Sequence, residues 1–332
     1  MERKKIARYL LSLGVILVMV GMAERTGEKE ILFPEMVALA IGLLIVDKRV
    51  WNVRRWQIVL LMSLGAVAGI CIVRFSPFLY PVNLCLALIF AIVALLVSRT
   101  TLIPLISACV LPVLLYTESW VYPMAVFLLS LLSVLGQKVL EMRGFRARAT
   151  DLRMKRPERG DVLRWLALFG CVGLISTAAL SSGYSYVILP PLIVTFAEMV
   201  HSKSGFRNRP VQVFLFLVTA ATLGAVFQLV GYYYYHLPQT AVAFCIAVAL
   251  FLVFEWTGKY FAPAGALAFI PMLLPAGGLF WLPLQVAVGA ALFIAIAMVA
   301  FHKCYKWNRA QLVYCFIPSL LREYRFAGRG RK

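Results

Sequence analysis

Residues 56–73 read WQIVLLMSLGAVAGICIV, a run without a single charge, bounded by Arg54 and Arg55 before it and Arg74 after it. An α-helix needs about 20 such residues to cross a bilayer whose hydrocarbon core is about 30 Å thick. The run does not alternate apolar with polar positions, so it does not read as a transmembrane strand. Lipid offers no partner to an open backbone group, and a helix is the form that remains. Eleven other runs read the same way. The spans expected lie near 6–23, 31–46, 56–74, 82–98, 101–116, 119–136, 163–181, 186–200, 211–231, 239–256, 260–276 and 281–301. Composition agrees, with 62% hydrophobic and 14% charged residues among 332, against about 45–50% and about 25% in soluble domains.

The net charge of +19 is distributed in a way that follows topology. Arg3, Lys4, Lys5 and Arg8 precede the first span, and Lys48, Arg49, Arg54 and Arg55 follow the second. Arg99 follows the fourth span and Lys259 the tenth. Lys138, Arg143, Arg146, Arg148, Arg153, Lys155, Arg156, Arg159 and Arg164 crowd the linker after the sixth, and Lys203, Arg207 and Arg209 follow the eighth. Every second loop is thus basic, as the positive-inside rule produces. Both termini and the 137–162 linker are expected in the cytoplasm, facing the anionic inner leaflet of the cell membrane. Nucleic acid is not needed to explain the charge. The tail around 309–326, with Leu312, Phe316 and Leu320 interleaved with arginines, reads as an interfacial helix.

The chain also repeats itself. Ile31-Leu32-Phe33-Pro34 corresponds to Val187-Ile188-Leu189-Pro190, Arg54 and Gln57 to Arg209 and Gln212, and Gly69 to Gly224. Pro104 and Pro112 correspond to Pro263 and Pro271, with the same spacing of eight. The offset drifts only between 155 and 159. The organisation expected is a six-helix unit at 1–136, a basic linker at 137–162, a second six-helix unit at 163–302 and a basic tail at 303–332. An even number of spans per unit gives both units one orientation, a parallel repeat about the membrane normal. A re-entrant fifth segment would invert the repeat, but it would place the basic linker outside. The first run resembles a signal peptide, yet its counterpart opens the second half, so it belongs to the fold.

Leu189-Pro190-Pro191-Leu192, Arg207-Asn208-Arg209-Pro210-Val211 and Ala262-Pro263-Ala264-Gly265-Ala266 resemble the HPP family of membrane proteins. The resemblance covers about 186–276, and reaches 31–116 through the repeat. It departs at the family's name: the chain has Phe261-Ala262-Pro263 where the family has His-Pro-Pro. The resemblance implies a transporter-like membrane protein for a small anion, with no role for the motif histidine.

Chemistry is sparse. Glu35 sits near the outer start of the second span, just after Pro34, Glu198 near the inner end of the eighth three residues before His201, and Glu255 near the inner end of the tenth four residues before Lys259. Interfacial solvation is the expected state of all three, with an i,i+4 ion pair for Glu255. No acid falls at a span centre, so no carboxylate relay through the membrane is expected. His201, His236 and His302 lie at span ends or in loops, and only His302 and Cys304 approach ligand spacing. The seven cysteines read as small apolar residues, without a disulfide framework. No nucleophile–base set or cofactor motif stands out. Tyr232–Tyr235 reads as an aromatic belt on the outer side.

The substrate site is expected at the fifth span of each half, which is short and carries two prolines. An interior proline removes a helix hydrogen bond, and matched broken segments in two halves point to a transporter's site. The residues expected there are Pro104, Ser107, Pro112, Pro263, Gly265 and Pro271, with Arg54 and Arg209 as an electropositive inner vestibule and Glu35 and Glu198 as carboxylates of interest. The function expected is movement of a small solute between two repeats. A membrane enzyme or assembly factor acting on lipid-linked substrates is the alternative, and a structural subunit a third.

Overall fold

In the computed structural model, residues 2–47, 49–147, 158–201 and 208–304 are described, and among them every regular element is a helix. The expected tail helix at 309–326, the linker cations Arg148, Arg153, Lys155 and Arg156, and Lys48, Lys203 and Arg207 lie outside these residues.

The first half comprises α1 (Glu2–Thr26), α2 (Glu35–Ala40, continued by a π turn Ile41–Ile45), α3 (Arg55–Phe75), α4 (Tyr80–Ser98), α5 (Pro104–Leu115) and α6 (Val121–Met142). The second comprises α7 (Arg159–Ser181), α8 (Pro190–His201, after a 3-10 turn Ser185–Ile188), α9 (Pro210–Phe227, continued by a π turn Gln228–Tyr234) and α10 (Gln239–Thr257). Then come α11 (Ala262–Phe269, continued by a 3-10 turn Ile270–Leu273), the single turn α12 (Ala276–Leu279) and α13 (Leu282–Cys304). Eight of these helices are long and apolar enough to cross a membrane. The chain is an α-helical membrane protein.

The other four main segments, α2, α5, α8 and α11, are short. Prolines set their beginnings: Pro34 precedes α2, Pro104 and Pro190 open α5 and α8, and Pro263 is second in α11. A proline at the first helical turn loses nothing, because that N–H has no intrahelical partner. At their far ends α2 gives way to extended backbone at Val46, and α5 stops at Tyr116, which turns left-handed at φ 54°. Residues 35–45, 104–113, 190–200 and 262–272 are buried throughout. Helix ends at such depth leave open N–H and C=O groups, which a membrane tolerates only inside protein. The long helices supply that protein and show lipid their outer faces, with Leu174, Trp256 and Val97 among the exposed side chains.

Packing repeats from half to half. Helix α3 packs on α5 and α6, as α9 packs on α11 and α13. Between the halves, α1 packs on α10 and α4 on α7, while α2 packs on α11 and α5 on α8. Exchanging the halves maps each of these pairs onto another. Two glycines let the third helix touch the fifth. A Cβ on Gly69 would lie 2.5 Å from the Cys109 carbonyl oxygen and 3.0 Å from Pro112. On Gly224 it would lie 2.1 Å from the Ala268 carbonyl oxygen and 2.9 Å from Pro271. The matched residues of the sequence repeat therefore make the matched contact.

Polar contacts lock the two ends of the bundle. At one end Glu255 takes Lys5, Tyr9 and Tyr260, in place of the expected pairing with Lys259. Nearby Arg8 pairs with Asp47 and donates to the Phe145 carbonyl, and Arg55 pairs with Glu141, which also accepts from Gln137 at 3.1 Å. Burial pulls the Arg146 guanidinium in this layer down to about 10. At the other end the Glu24 carboxylate accepts from the N–H groups of Gln239 and Thr240 at 2.8 and 3.0 Å, capping α10. That places α1 and α10 antiparallel. The tyrosines Tyr234 and Tyr235 are exposed beyond this end of α9.

Candidate functional site

The four short segments meet around a central cavity. Its lining comes from α2 (Glu35, Ala38), α5 (Pro104, Ser107), α8 (Pro191, Val194, Glu198) and α11 (Ala262, Pro263, Ala266), with Trp51 from the extended segment after α2. The void is about 10 Å³, at the lower limit for one water. Among the described residues no Lys, Arg or His lines it.

The lining residues pair off at the offsets of the sequence repeat. Glu35 and Ala38 match Pro191 and Val194 at 156, and Pro104 and Ser107 match Pro263 and Ala266 at 159. The cavity thus collects equivalent positions from both halves. Its polarity is unequal: Glu35 and Ser107 belong to the first half, and their mates Pro191 and Ala266 are apolar. Glu198 brings a carboxylate from the second half, at the position matching Gly42.

The two acids correct the expectation of interfacial solvation. Glu35 is 1% exposed and Glu198 9%, and both face one cavity rather than opposite membrane surfaces. The reason is geometric. Helix α2 is short, so its first residue already lies at the depth of the first turn of α5, and α8 carries Glu198 to the same void. Both Glu35 oxygens and the Ser107 hydroxyl are buried with no hydrogen-bond partner among the described residues. Glu198 accepts from the Trp51 indole N–H at 3.3 Å. The Trp51 ring is seated on Gly42, where a Cβ would come within 2.4 Å of it. One turn beyond Glu198, His201 stacks on Trp165 of α7 with ring centroids 3.8 Å apart.

Five of the expected site residues, Pro104, Ser107, Pro263, Glu35 and Glu198, converge on this cavity. The other five are placed elsewhere. Gly265 faces α2, where a Cβ would lie 2.3 Å from Ile41 Cδ1, so its smallness serves helix packing. Pro271 packs on Gly224. Pro112 removes the helix partner of the Ala108 carbonyl, and the Tyr122 hydroxyl donates to that oxygen at 3.1 Å. The carbonyl freed by Pro112 is therefore spent on α6 and does not face the cavity. Arg54 is exposed at the start of α3, its backbone N–H donating to Gln57 Oε1 at 3.0 Å, and Arg209 is half-buried before α9. Neither lines the cavity.

Six lining residues, Trp51, Ala38, Pro191, Val194, Ala262 and Ala266, were not among the expected site residues. Trp51 stands between the cations Lys48-Arg49 and Arg54-Arg55, and nothing in its local sequence points inward. Ala38 had a signal: its mate Val194 lies one turn after the double proline.

A second, larger cavity of about 150 Å³ is lined by Lys29, Glu30, Pro112, Thr117, Tyr122 and Leu273, among others. Tyr122 also packs edge-on against Phe33, two residues before Glu35, with centroids 5.7 Å apart. Among the described residues no group of three His, Cys, Asp or Glu could hold a metal ion.

Comparison of the chain with protein-family models, with curated proteins and with solved structures finds no match.

Proposed function

We propose that the chain is a transporter-like membrane protein that moves a small solute through the central cavity between its two halves. The observation that carries this reading is the convergence of matched residues from four short, buried segments on one small void, with Glu35, Ser107 and Glu198 in its wall. Short or interrupted membrane segments in corresponding positions of two halves mark transporter binding sites, and irregular backbone at membrane depth belongs where it is buried or lines a cavity. The four segments fit both statements.

In this reading the halves form two parallel six-segment repeats about an axis along the membrane normal, and the short segments complete a twelve-segment path. The exchange symmetry of the helix contacts supports that layout. The bonds at each bundle end support an alternating course, with the basic end in the cytoplasm and Tyr232–His236 outside. The HPP resemblance rests on the motif residues alone, and it favours transport. The anion it implies is a poorer match to the site, where two carboxylates and, among the described residues, no cation line the void. A small neutral or protonated solute fits this lining better. Arg54 and Arg209 then serve as inner-leaflet anchors.

Uptake by proteoliposomes containing the purified full chain, over a panel of small anions, cations and neutral metabolites, tests the reading. Flux of at least one solute above protein-free vesicles is expected. Failure across the panel, with correctly inserted protein, would count against transport.

A further inference from the structure

We propose that the central cavity is a proton site, in which Glu35 holds a proton in the resting protein and exchanges it with Glu198 during transport. The inference rests on the transport reading and adds the coupling ion to it.

Glu35 is the group that needs explaining. Its side chain is 1% exposed, and among the described residues neither oxygen has a hydrogen-bond partner and no basic side chain lines the cavity it faces. Two ionised carboxylates on one small void would repel each other, so the pair holds a proton, and Glu35 takes it because Glu198 has the Trp51 donor and Glu35 has none. A protonated carboxyl removes the charge. The Ser107 hydroxyl on the same void lies close to Glu35 without a well-formed hydrogen bond to it or to another described residue. A hydroxyl can accept from a carboxylic acid or donate to a carboxylate, so it serves Glu35 in either state.

A metal cation suits the cavity less well. The rest of its wall is alanine, valine and proline side chains with the Trp51 indole, and its volume is at the lower limit for one water. A hydrated cation does not fit, and a stripped one would find too few oxygens. Glu198 makes the natural second station, because the Trp51 N–H is a donor suited to a carboxylate.

Among the described residues the titratable groups around the pair are Cys109 on α5, Tyr122 on α6 and His201 on α8. The Tyr122 hydroxyl is engaged with the Ala108 carbonyl, and His201 is stacked on Trp165. Neither is on the cavity wall. The transfer balances simply. The Glu35 O–H bond breaks as its proton passes to a water oxygen, and that water gives one of its own protons to a Glu198 carboxylate oxygen. The pair keeps one negative charge throughout, and no electrons move.

Infrared difference spectroscopy of the full chain in lipid vesicles at neutral pH reads this directly. A protonated-carboxyl C=O band that shifts in heavy water is expected in the wild-type protein, lost in Glu35→Gln and kept in Glu198→Gln. Should Glu35→Gln fail to insert, Glu35→Asp and Ser107→Ala should each shift the band instead. A wild-type spectrum without the band, or a band indifferent to all of these Glu35 and Ser107 changes, overturns the proposal. The solute panel separates this from the transport reading. A Glu35 band without flux of any solute overturns transport and keeps the proton site, whereas flux without the band does the reverse.

Discussion

The two halves of the molecule share a packing plan and differ in what they bring to its centre. Equivalent positions line the cavity, yet the first half supplies Glu35 and Ser107 where the second supplies Pro191 and Ala266. The second half returns a carboxylate, Glu198, at the position where the first has Gly42, and Trp51 of the first half bridges the two. Equivalent positions that carry unlike chemistry show which features serve the scaffold and which serve the site. Gly69 and Gly224, with Pro112 and Pro271, keep the same job in both halves and are structural. The carboxyl groups do not repeat, and they are the functional candidates.

The largest effect is expected where that scaffold is tightest. Gly224→Ala puts a methyl 2.1 Å from a backbone carbonyl oxygen and Gly69→Ala one at 2.5 Å. Overpacking costs about 1–3 kcal/mol and sometimes more. Backbone cannot yield as a side chain can, so both variants should lower the thermal unfolding midpoint in detergent, Gly224→Ala more. Equal stability to wild type in either would break the equivalence of the two contacts.

Trp51→Phe comes next. It keeps a ring on Gly42 and removes the donor to Glu198. An unsatisfied buried acceptor costs about 1–3 kcal/mol, so a smaller loss of stability is expected. Trp51→Phe combined with Glu198→Gln should lose less than the two single losses summed, because the second change removes the orphaned charge. Additive losses in this double-mutant cycle would show that the two side chains do not interact.

Glu24→Ala tests an end of the bundle rather than its centre. It removes the cap on α10, a contact of a kind worth about 0.5–2 kcal/mol, and its exposure places the loss at or below about 0.5 kcal/mol. Flux should be unchanged. A loss of flux at full insertion would mean that the α1–α10 contact moves during transport.

Much of this architecture could be read from residue order, for identifiable reasons. Paired prolines at a spacing of eight and glycines at matched offsets carry the repeat, because each enforces a backbone event that leaves a mark in sequence. The second segment of each half is different. Residues 31–46 and 186–200 look like ordinary spans, since a hydropathy run does not say where the helix within it begins. Only the folded chain reveals that α2 starts at Glu35 and ends with a π turn at Ile45. The site was half visible for the same reason. Pro104, Ser107 and Pro263 stand in conspicuous segments. Glu35 and Glu198 lie far apart in the chain and near opposite ends of their runs, so their meeting depends on helix length and tertiary packing. Gly265 misleads because a small residue between helices looks alike whether it makes room for a ligand or for a neighbouring Ile41.

The claim that a solute passes between the halves is most directly tested at one matched pair of wall positions. Ser107→Cys and Ala266→Cys, each in a background with the native cysteines replaced, can be challenged in sealed vesicles with a membrane-impermeant thiol reagent applied from one side and then the other. The account predicts that both positions react, that each is reachable from both sides over time, and that transported solute slows the reaction. Inertness of both positions from both sides, while Lys29→Cys in the larger cavity reacts readily, would contradict a path between the halves.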